Sequence, residues 1–179
     1  MDLYVGQRNG GAGAPKVVEI GGGYGGMCHW FLKVRPDTER YTIVDLPIVG
    51  VLQGYFLGRS LGADRVSLYG EPPATVSIMP NLALDEVETP FDALANKDSL
   101  PEVPDQTMRD YLRWGARHCT GTFYSYNQEA RQEFLGEPQG VVHEAVSDVG
   151  GFHRVRRERA WVRDGYVEEF YLPKVSAGE

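Results

Sequence analysis

The amino-acid sequence predicts an α/β fold with a mostly parallel sheet, helices packed against it and an antiparallel pair of strands at the end. Three observations lead to this prediction. Short β-branched runs alternate with segments of helical periodicity through most of the chain. A glycine-rich loop, GGGYGG at 21–26, follows the first of these runs. Near the C-terminus, Asp164-Gly165 separates two strand-like segments, which is typical of a short hairpin.

The first part of the chain divides into two strand–helix pairs. Lys16–Ile20 is a β-branched run that stops at glycine, as buried strands often do. A helix follows the glycine loop, because apolar residues recur there at helical spacing: Met27, Trp30, Phe31 and Val34. Residues 41–46 are predicted as the second strand. Pro47 then opens a second helix, and Gly62 is its expected C-cap.

The second part is predicted to continue the same alternation before it changes. Two segments, 66–69 and 76–79, compete for the third strand, and we favour 76–79 because the other follows its helix too closely to need a crossover of its own. The remaining predictions are a strand at 91–96, a helix at 105–115, a strand at 122–126, a short helix at 128–135, and hairpin strands at 154–162 and 166–172.

Length and charge restrict the class of protein. The chain has 179 residues, which suits one domain, predicted at 16–173 between a flexible lead-in at 1–15 and a tail at 174–179. A net charge of −7 argues against general nucleic-acid binding and against a membrane-surface role. There is no apolar stretch typical of a membrane span or a signal peptide. The two cysteines lie far apart, so we expect a cytoplasmic protein.

The glycine loop indicates a nucleotide-type cofactor site. Gly21, Gly23 and Gly26 satisfy G-x-G-x-x-G between a strand and a helix, which lets a ligand approach backbone N–H groups. Glu19, at the end of the first strand, would repel a pyrophosphate but suits the ammonium group of a sulfonium amino acid. Asp45, at the end of the second strand, can accept hydrogen bonds from ribose hydroxyls. The alternatives are a turn without a ligand and an Asp45 that only caps the next helix.

E-x-G-x-G followed by an acid at the end of the second strand resembles motifs I and II of class I S-adenosylmethionine (SAM)-dependent methyltransferases. More narrowly, EIGGGYGG, YTIVDLP, the D-x-x-x-N-x-D-S-x-x-E stretch at 92–102 and YSYNQ resemble the sugar O-methyltransferase family. The resemblance covers roughly residues 16–172. It implies a Rossmann-like sheet of about seven strands, the last antiparallel, with flanking helices. It also implies SAM as the cofactor and methyl transfer to a hydroxyl of a sugar or a sugar-containing small molecule.

Site residues follow from these motifs. The expected cofactor-binding residues are Glu19, Gly21, Gly23, Tyr24, Gly25, Asp45, Leu46 and Asn96. Asp98 is the candidate general base, with Glu102 as its partner or as a ligand of a divalent metal, if one is used. In the alternative interpretation, Ser99-Leu100-Pro101-Glu102 is a capping box. Aromatic rings pack against sugar faces and amides bind hydroxyls, so Tyr124, Tyr126 and Asn127 are candidates for acceptor binding, although packing alone could also select them.

Other functions remain as alternatives. An NAD-binding Rossmann oxidoreductase would share the glycine loop and Asp45, but the Tyr-x-x-x-Lys pair of short-chain dehydrogenases is missing. The methyltransferase family usually has a helical N-terminal region, where this sequence has about fifteen residues. A non-catalytic cofactor-binding fragment or partner subunit is therefore a second alternative. Association into a homo-oligomer is left open.

Overall fold

The computed structural model describes residues 13–129, 133–134 and 136–174. The predicted lead-in and tail lie outside these ranges, except for 13–15 and 174. Within them, the first strands and helices alternate as β1 (Lys16–Ile20), α1 (Gly26–Val34), β2 (Arg40–Asp45), α2 (Pro47–Leu61), β3 (Val66–Leu68), β4 (Val76–Pro80) and β5 (Phe91–Lys97). The later ones are α3 (Asp105–His118), β6 (Cys119–Gln128), β7 (Glu133–Phe134), β8 (Glu137–Pro138), α4 (Val142–Val149), β9 (Phe152–Arg159) and β10 (Tyr166–Pro173).

Eight strands form one mixed sheet in the order β3-β4-β2-β1-β5-β6-β10-β9. The six strands from β3 to β6 pair in parallel, whereas β10 is antiparallel to both β6 and β9. The predicted Rossmann-like sheet with a terminal antiparallel pair is thereby confirmed. The carboxyl ends of β1, β2, β5 and β6 meet at one edge, where ligands of open α/β sheets bind.

The alternation of side chains along the buried strands creates two cores, one on each face of the sheet. Val17 packs with α1 and α2 on one face, in a cluster that includes Phe31, Tyr41 and Leu57. Its neighbour Val18 points to the other face, where α3 and α4 supply Met108 and Val146. Because successive strand residues face opposite sides and both sides are covered, the neighbours Val17 and Val18 are both buried.

Helix α2 packs against the sheet through small residues. A Cβ atom at Gly50 would lie 3.2 Å from Ile78, and one at Gly54 would lie 2.9 Å from Leu68. Gln53 and Leu57 are fully buried on the same side of the helix. The glycines therefore let the helix backbone approach β3 and β4 closely.

Three segments differ from the prediction. Residues 66–68 and 76–80 are both strands and pair in parallel, because the short β3 adds to the sheet edge beyond β4. The helix predicted at 128–135 is wrong where the structure describes this segment, since Gln128 ends β6 and Glu133–Phe134 pairs with Glu137–Pro138. Helix α4 was not predicted. Its eight residues, VHEAVSDV, give only two turns of apolar periodicity.

None of the helices in the described part of the chain is long and apolar enough to cross a membrane.

Candidate functional site

A cleft of about 900 Å³ opens at the carboxyl edge of the sheet. This volume is in the range of small-molecule and cofactor sites. Its walls come from the glycine loop, α1, the ends of β2 and β5, and the segment after β5. The lining residues are Glu19, Gly21, Gly22, Gly23, Tyr24, Gly26, Met27, Trp30, Phe31, Val34, Asp45, Leu46, Val49, Lys97, Asp98, Ser99, Glu102 and Tyr124.

The glycine loop lies at the floor of the cleft, with three residues at positive φ. Gly21 has φ +70° and its N–H donates to the Val44 carbonyl at 2.8 Å. A Cβ at Gly21 would overlap the Ser99 Oγ, so no larger residue fits there. Gly23 has φ +54°, and no atom lies within 4 Å of the position that a Cβ would take. Its Cα therefore faces open cleft, which is the space that a ligand against the loop backbone needs.

Gly25 has a different role from the other loop glycines. It is the N-cap of α1 at φ +94°, and its N–H donates to the Gly22 carbonyl at 2.9 Å. A Cβ there would lie 2.9 Å from Leu57. Gly25 is buried and does not line the cleft. It therefore shapes the turn from the strand into the helix.

Glu19 lines the cleft from the end of β1 and is 1% exposed. Its Oε2 accepts a hydrogen bond from the Tyr41 hydroxyl at 2.8 Å. Burial raises the pKa of Glu19 to about 7, and the Asp45 charge adds to this rise, while the Tyr41 bond opposes it. A buried acid with a raised pKa has a strong preference for a cationic neighbour. The position thus suits an ammonium group.

Asp45, at the end of β2, is held in place by two donors. Its Oδ1 accepts from the Leu46 N–H and its Oδ2 from the Gln53 Nε2, both at 2.8 Å. Gln53 also donates to the Gly23 carbonyl at 2.9 Å, so one buried amide ties the carboxylate to the glycine loop. Burial raises the pKa of Asp45, against these hydrogen bonds. The N-cap residue of α2 is Leu46, and no side chain makes a capping hydrogen bond there.

Tyr24 and Leu46 stand at the rim of the cleft, 61% and 54% exposed. Asn96, by contrast, is fully buried and lies behind the cleft wall. Its Nδ2 donates to the Ile20 carbonyl at 2.9 Å and to the Ser99 Oγ at 2.6 Å. These bonds fasten the segment after β5 to the end of β1, beneath the predicted cofactor position.

Asp98 and Glu102 lie together in the segment that follows β5, which forms one wall of the cleft. Asp98 has φ +64°, and its N–H donates to the Tyr126 carbonyl at 2.9 Å and to the Asn127 Oδ1 at 3.1 Å. Its Oδ2 accepts from the Arg163 Nη1 at 2.5 Å. Arg163 comes from the β9–β10 connection and stacks on the Tyr166 ring, 3.9 Å from its centroid. Asp98 is thus fixed by contacts from two separate segments, β6 and the β9–β10 connection.

Glu102 is the second carboxylate of this wall. Burial raises its pKa, the charge of Asp98 raises it further, and Arg163 opposes the rise. The capping box predicted for Ser99 and Glu102 is not formed. The Ser99 Oγ instead donates to the Ile20 carbonyl at 3.1 Å. Glu102 is therefore available to the cleft.

The three candidate acceptor residues occupy different positions. Tyr124 lines the cleft beside Lys97, and burial, followed by the charge of Glu168, raises its pKa. Tyr126 lies outside the lining and stacks on Tyr166, with ring centroids 5.6 Å apart. Asn127 is 1% exposed, and its amide bonds to Asn96, Ser125 and the Asp98 N–H. Of the three, Tyr124 alone faces the cleft.

In the described part of the chain, the residues of the cleft do not form a site for a divalent metal. Within the described ranges, no group of three or more His, Cys, Asp or Glu side chains is arranged to hold a metal ion. Glu102 and Asp98 are the nearest approach to such a group, and Arg163 occupies the Asp98 carboxylate.

Three side chains of the site were not predicted from the sequence. Tyr41, Gln53 and Arg163 contact Glu19, Asp45 and Asp98, respectively. Arg163 lies 65 residues from its partner in sequence. For Gln53, a signal existed, since it is an isolated amide in the otherwise apolar stretch PIVGVLQGYFLG.

The fold is that of class I SAM-dependent methyltransferases. Solved structures with the same fold include the mitomycin 7-O-methyltransferase MmcR, with a TM-score of 0.70 and 17% identity over 90% of this chain and 49% of that one. The magnesium protoporphyrin IX methyltransferase ChlM from Synechocystis PCC 6803, with bound SAM, has a TM-score of 0.65 and 13% identity, over 93% of this chain and 73% of that one. An O-methyltransferase family 2 protein from Planctomyces limnophilus DSM 3776, in complex with apigenin, has a TM-score of 0.66 and 12% identity, over 90% of this chain and 51% of that one.

The chain spans about half the length of the first two of the most similar solved structures, MmcR and LaPhzM. No protein-family model matches the sequence, and no curated protein matches it significantly.

Proposed function

We propose that this chain binds SAM and transfers its methyl group to a hydroxyl of a small-molecule acceptor. The observation that carries the proposal is the presence of two pairs of acids in one cleft. Glu19 and Asp45 lie at the ends of adjacent strands around the glycine loop, while Asp98 and Glu102 lie in the segment after β5. One pair suits the two polar ends of the cofactor, and the other suits an acceptor hydroxyl.

The cofactor would lie along the loop. Glu19 would face its ammonium group, and the Asp45 carboxylate, preset by Gln53, would accept from the ribose hydroxyls. SAM would supply a methyl carbon already activated by the sulfonium. The chain's own contribution is to place the acceptor oxygen in line and to remove its proton.

Asp98 is the proposed base. Its backbone is fixed by Tyr126 and Asn127, so its carboxylate is preorganised at the cleft wall. Arg163 balances the Asp98 charge, and Glu102, whose pKa is raised, can hold the acceptor hydroxyl through a hydrogen bond. A base that is positioned in this way contributes about a hundred- to ten-thousand-fold to rate.

The acceptor is proposed to be a sugar or a sugar-containing small molecule, in a cytoplasmic setting. The support is the motif resemblance and the Tyr124 ring, which lines the same cleft as the carboxylates. Mitomycin and apigenin occur in the names of structures with the same fold. The acceptor panel should therefore also contain planar aromatic compounds with a hydroxyl group. An NAD-dependent oxidoreductase is not favoured.

A methyl-transfer assay tests the proposal directly. The wild-type chain would be given SAM and matched panels of sugar and aromatic hydroxyl acceptors, with product methylation measured by mass spectrometry. Asp98→Asn should lower the single-turnover rate by roughly a hundredfold or more and leave cofactor affinity nearly unchanged. Asp105→Asn is the matched control, because Asp105 also pairs with an arginine, Arg109, but lies outside the cleft.

The outcomes separate the alternatives. Turnover of sugars but not of aromatic acceptors supports the full proposal, and the reverse overturns the sugar assignment alone. SAM binding without turnover of any acceptor would support a non-catalytic binding subunit. An Asp98→Asn rate equal to that of wild type would move the base to Glu102.

A further inference from the structure

The outward side of α2 carries the bulky residues that helices usually bury. Ile48, Val51, Leu52 and Tyr55 form one stripe along the helix and are 61–74% exposed. The inward side carries Gly50 and Gly54 against the sheet. A helix that is apolar all round is normally covered on all sides.

This stripe continues onto the neighbouring elements. The Phe56 ring, next to Tyr55, contacts Tyr24 and His29, with ring centroids 5.0 and 5.7 Å apart, and His29 contacts Trp30. The whole surface, here called the apolar helix face, consists of Tyr24, Trp30, Val34, Leu46, Ile48, Val51, Leu52 and Tyr55. These are eight of the fourteen exposed large hydrophobic residues in the described part of the chain.

The size of the apolar helix face exceeds what a monomer normally exposes. Each of its side chains is between 54% and 74% exposed. Side chains of this size contribute on the order of 100 Å² each at such exposure, or roughly 800 Å² in total. The largest patch on a typical monomer is about 300–600 Å². A stable interface buries about 800 Å² on each partner, so the apolar helix face is large enough for one.

Charge favours this face for self-association over the rest of the surface. The chain has a net charge of −7, so two copies repel each other over most approaches. All eight residues of the apolar helix face are uncharged. The charged side chains of α1 and α2 are Lys33 and Arg59, both basic in an acidic protein. Contact through this face therefore keeps the acidic surfaces apart.

We propose that the apolar helix face binds a second copy of this chain, with α2 packing against its symmetry mate around a two-fold axis. The stripe at 48, 51, 52 and 55 has the three- and four-residue spacing of a helix-pairing seam. Tyr24, Trp30, Val34 and Leu46 belong both to this face and to the lining of the cleft. The second copy thus adjoins the open side of the cleft, and that part of the inference rests on the proposed cofactor site.

Sedimentation equilibrium over a wide range of protein concentration tests the association without any activity assay. The wild-type chain should be a dimer at high concentration. Ile48→Lys and Tyr55→Lys should each weaken dimerisation by roughly tenfold or more, the effect of a central interface residue. Both side chains are more than 70% exposed, so thermal unfolding of the diluted variants should match that of the wild type.

Trp161→Lys is the matched control. Trp161 is 98% exposed in the β9–β10 connection and lies outside the apolar helix face. Its replacement should leave the dimer unchanged. A wild-type chain that stays monomeric at every concentration overturns the proposal. A dimer that resists both α2 variants also overturns it. Because only mass is measured, failure of methyl transfer would not affect the result.

Discussion

At the scale of single residues, Glu19 is the most unusual group of the site. It is fully buried, yet its partner in the structure is the hydroxyl of Tyr41 and not a cation. Burial therefore raises its pKa to about 7 from the ordinary 4.5. In the folded protein Glu19 keeps a proton that the unfolded chain releases at lower pH. Its protonation is thus linked to folding.

Glu19 should lower the stability of the fold as pH rises. Between pH 4.5 and 7 the native state binds more protons at Glu19 than the unfolded state does, so stability from this group is lost across that window. The effect can reach about 3 kcal/mol, at about 1.36 kcal/mol for each pKa unit. Urea unfolding at a series of pH values would show it as the difference between wild type and Glu19→Gln. The glutamine variant lacks this titration but keeps the shape.

The same variant serves as the control for cofactor binding. An ammonium group beside Glu19 favours the deprotonated carboxylate, so SAM affinity should increase with pH up to about 7 and then level off. Calorimetry on Glu19→Gln should show weaker binding without this rise. Parallel pH profiles for the two proteins would mean that Glu19 does not meet the ammonium group.

At the scale of elements, the glycines of the loop have two different functions, close packing and space for a ligand. The sequence motif alone does not distinguish them. Gly21 is packed against Ser99, whereas Gly23 faces open space. Gly23→Ala should therefore cost about 1–2 kcal/mol of stability, because alanine at positive φ is strained. It should also weaken SAM binding by roughly tenfold or more, because the methyl group enters the ligand's space. Differential scanning fluorimetry and calorimetry measure the two effects separately.

Gly150→Ala is a control that isolates the strain. Gly150 has φ +77° and no atom within 4 Å of its Cβ position, and it caps α4 outside the cleft. The two variants should lose similar stability, but Gly150→Ala should keep full cofactor affinity. Equal affinities in both would show that the loop glycines serve only the turn.

The edge of the sheet depends on a buried carboxylate. Glu169, 1% exposed on β10, accepts from Arg154 at 2.9 Å, from Arg157 at 2.8 Å and from the Tyr171 hydroxyl at 2.8 Å. Glu169→Ala removes all three charge-assisted bonds, so we expect a loss in urea unfolding of at least about 1.5–3 kcal/mol, the contribution of one such bond.

Glu158→Ala is the comparison for this edge. Glu158 on β9 pairs with Arg156, and both side chains are at least 40% exposed. Such an exposed pair is screened by solvent and contributes little to stability, so Glu158→Ala should lose less stability than Glu169→Ala. If both variants lose equally little stability, the Glu169 network does not hold β9 to β10.

The elements that could be predicted are those with a strong local signal. The β-branched run of β1, the glycine loop and the Asp164-Gly165 hairpin each have one. The first two are where the sequence places them, and the hairpin forms, although its first strand spans Phe152–Arg159 instead of 154–162. Helix α4 has only two turns and packs on Met108 and its neighbours, so tertiary contacts determine it. The error at 128–135 arose because β6 extends to Gln128 through pairing with Tyr166, which is distant in sequence.

At the scale of the whole molecule, parallel topology explains why part of the site could be predicted. Strands that run in parallel bring their carboxyl ends to one edge, so acids at the ends of β1 and β2 must be neighbours. The side chains that hold those acids, such as Gln53 and Arg163, come from a helix and a distant hairpin. Their positions depend on packing that no local pattern encodes.

Cofactor binding should also stabilise the molecule as a whole, because the loop, α2 and the segment after β5 all border the cleft. A ligand at a hundred times its Kd adds about 2.7 kcal/mol to the free energy of unfolding. A domain of this size changes its Tm by about 2–4 °C for each kcal/mol, so S-adenosylhomocysteine should raise the Tm by about 5–10 °C. NAD at the same concentration should leave the Tm unchanged.

In Asp45→Ala the same concentration of S-adenosylhomocysteine should give a smaller Tm shift, because hydrogen bonds worth about 1.5–3 kcal/mol are lost. A shift with NAD and none with S-adenosylhomocysteine would reverse the cofactor assignment.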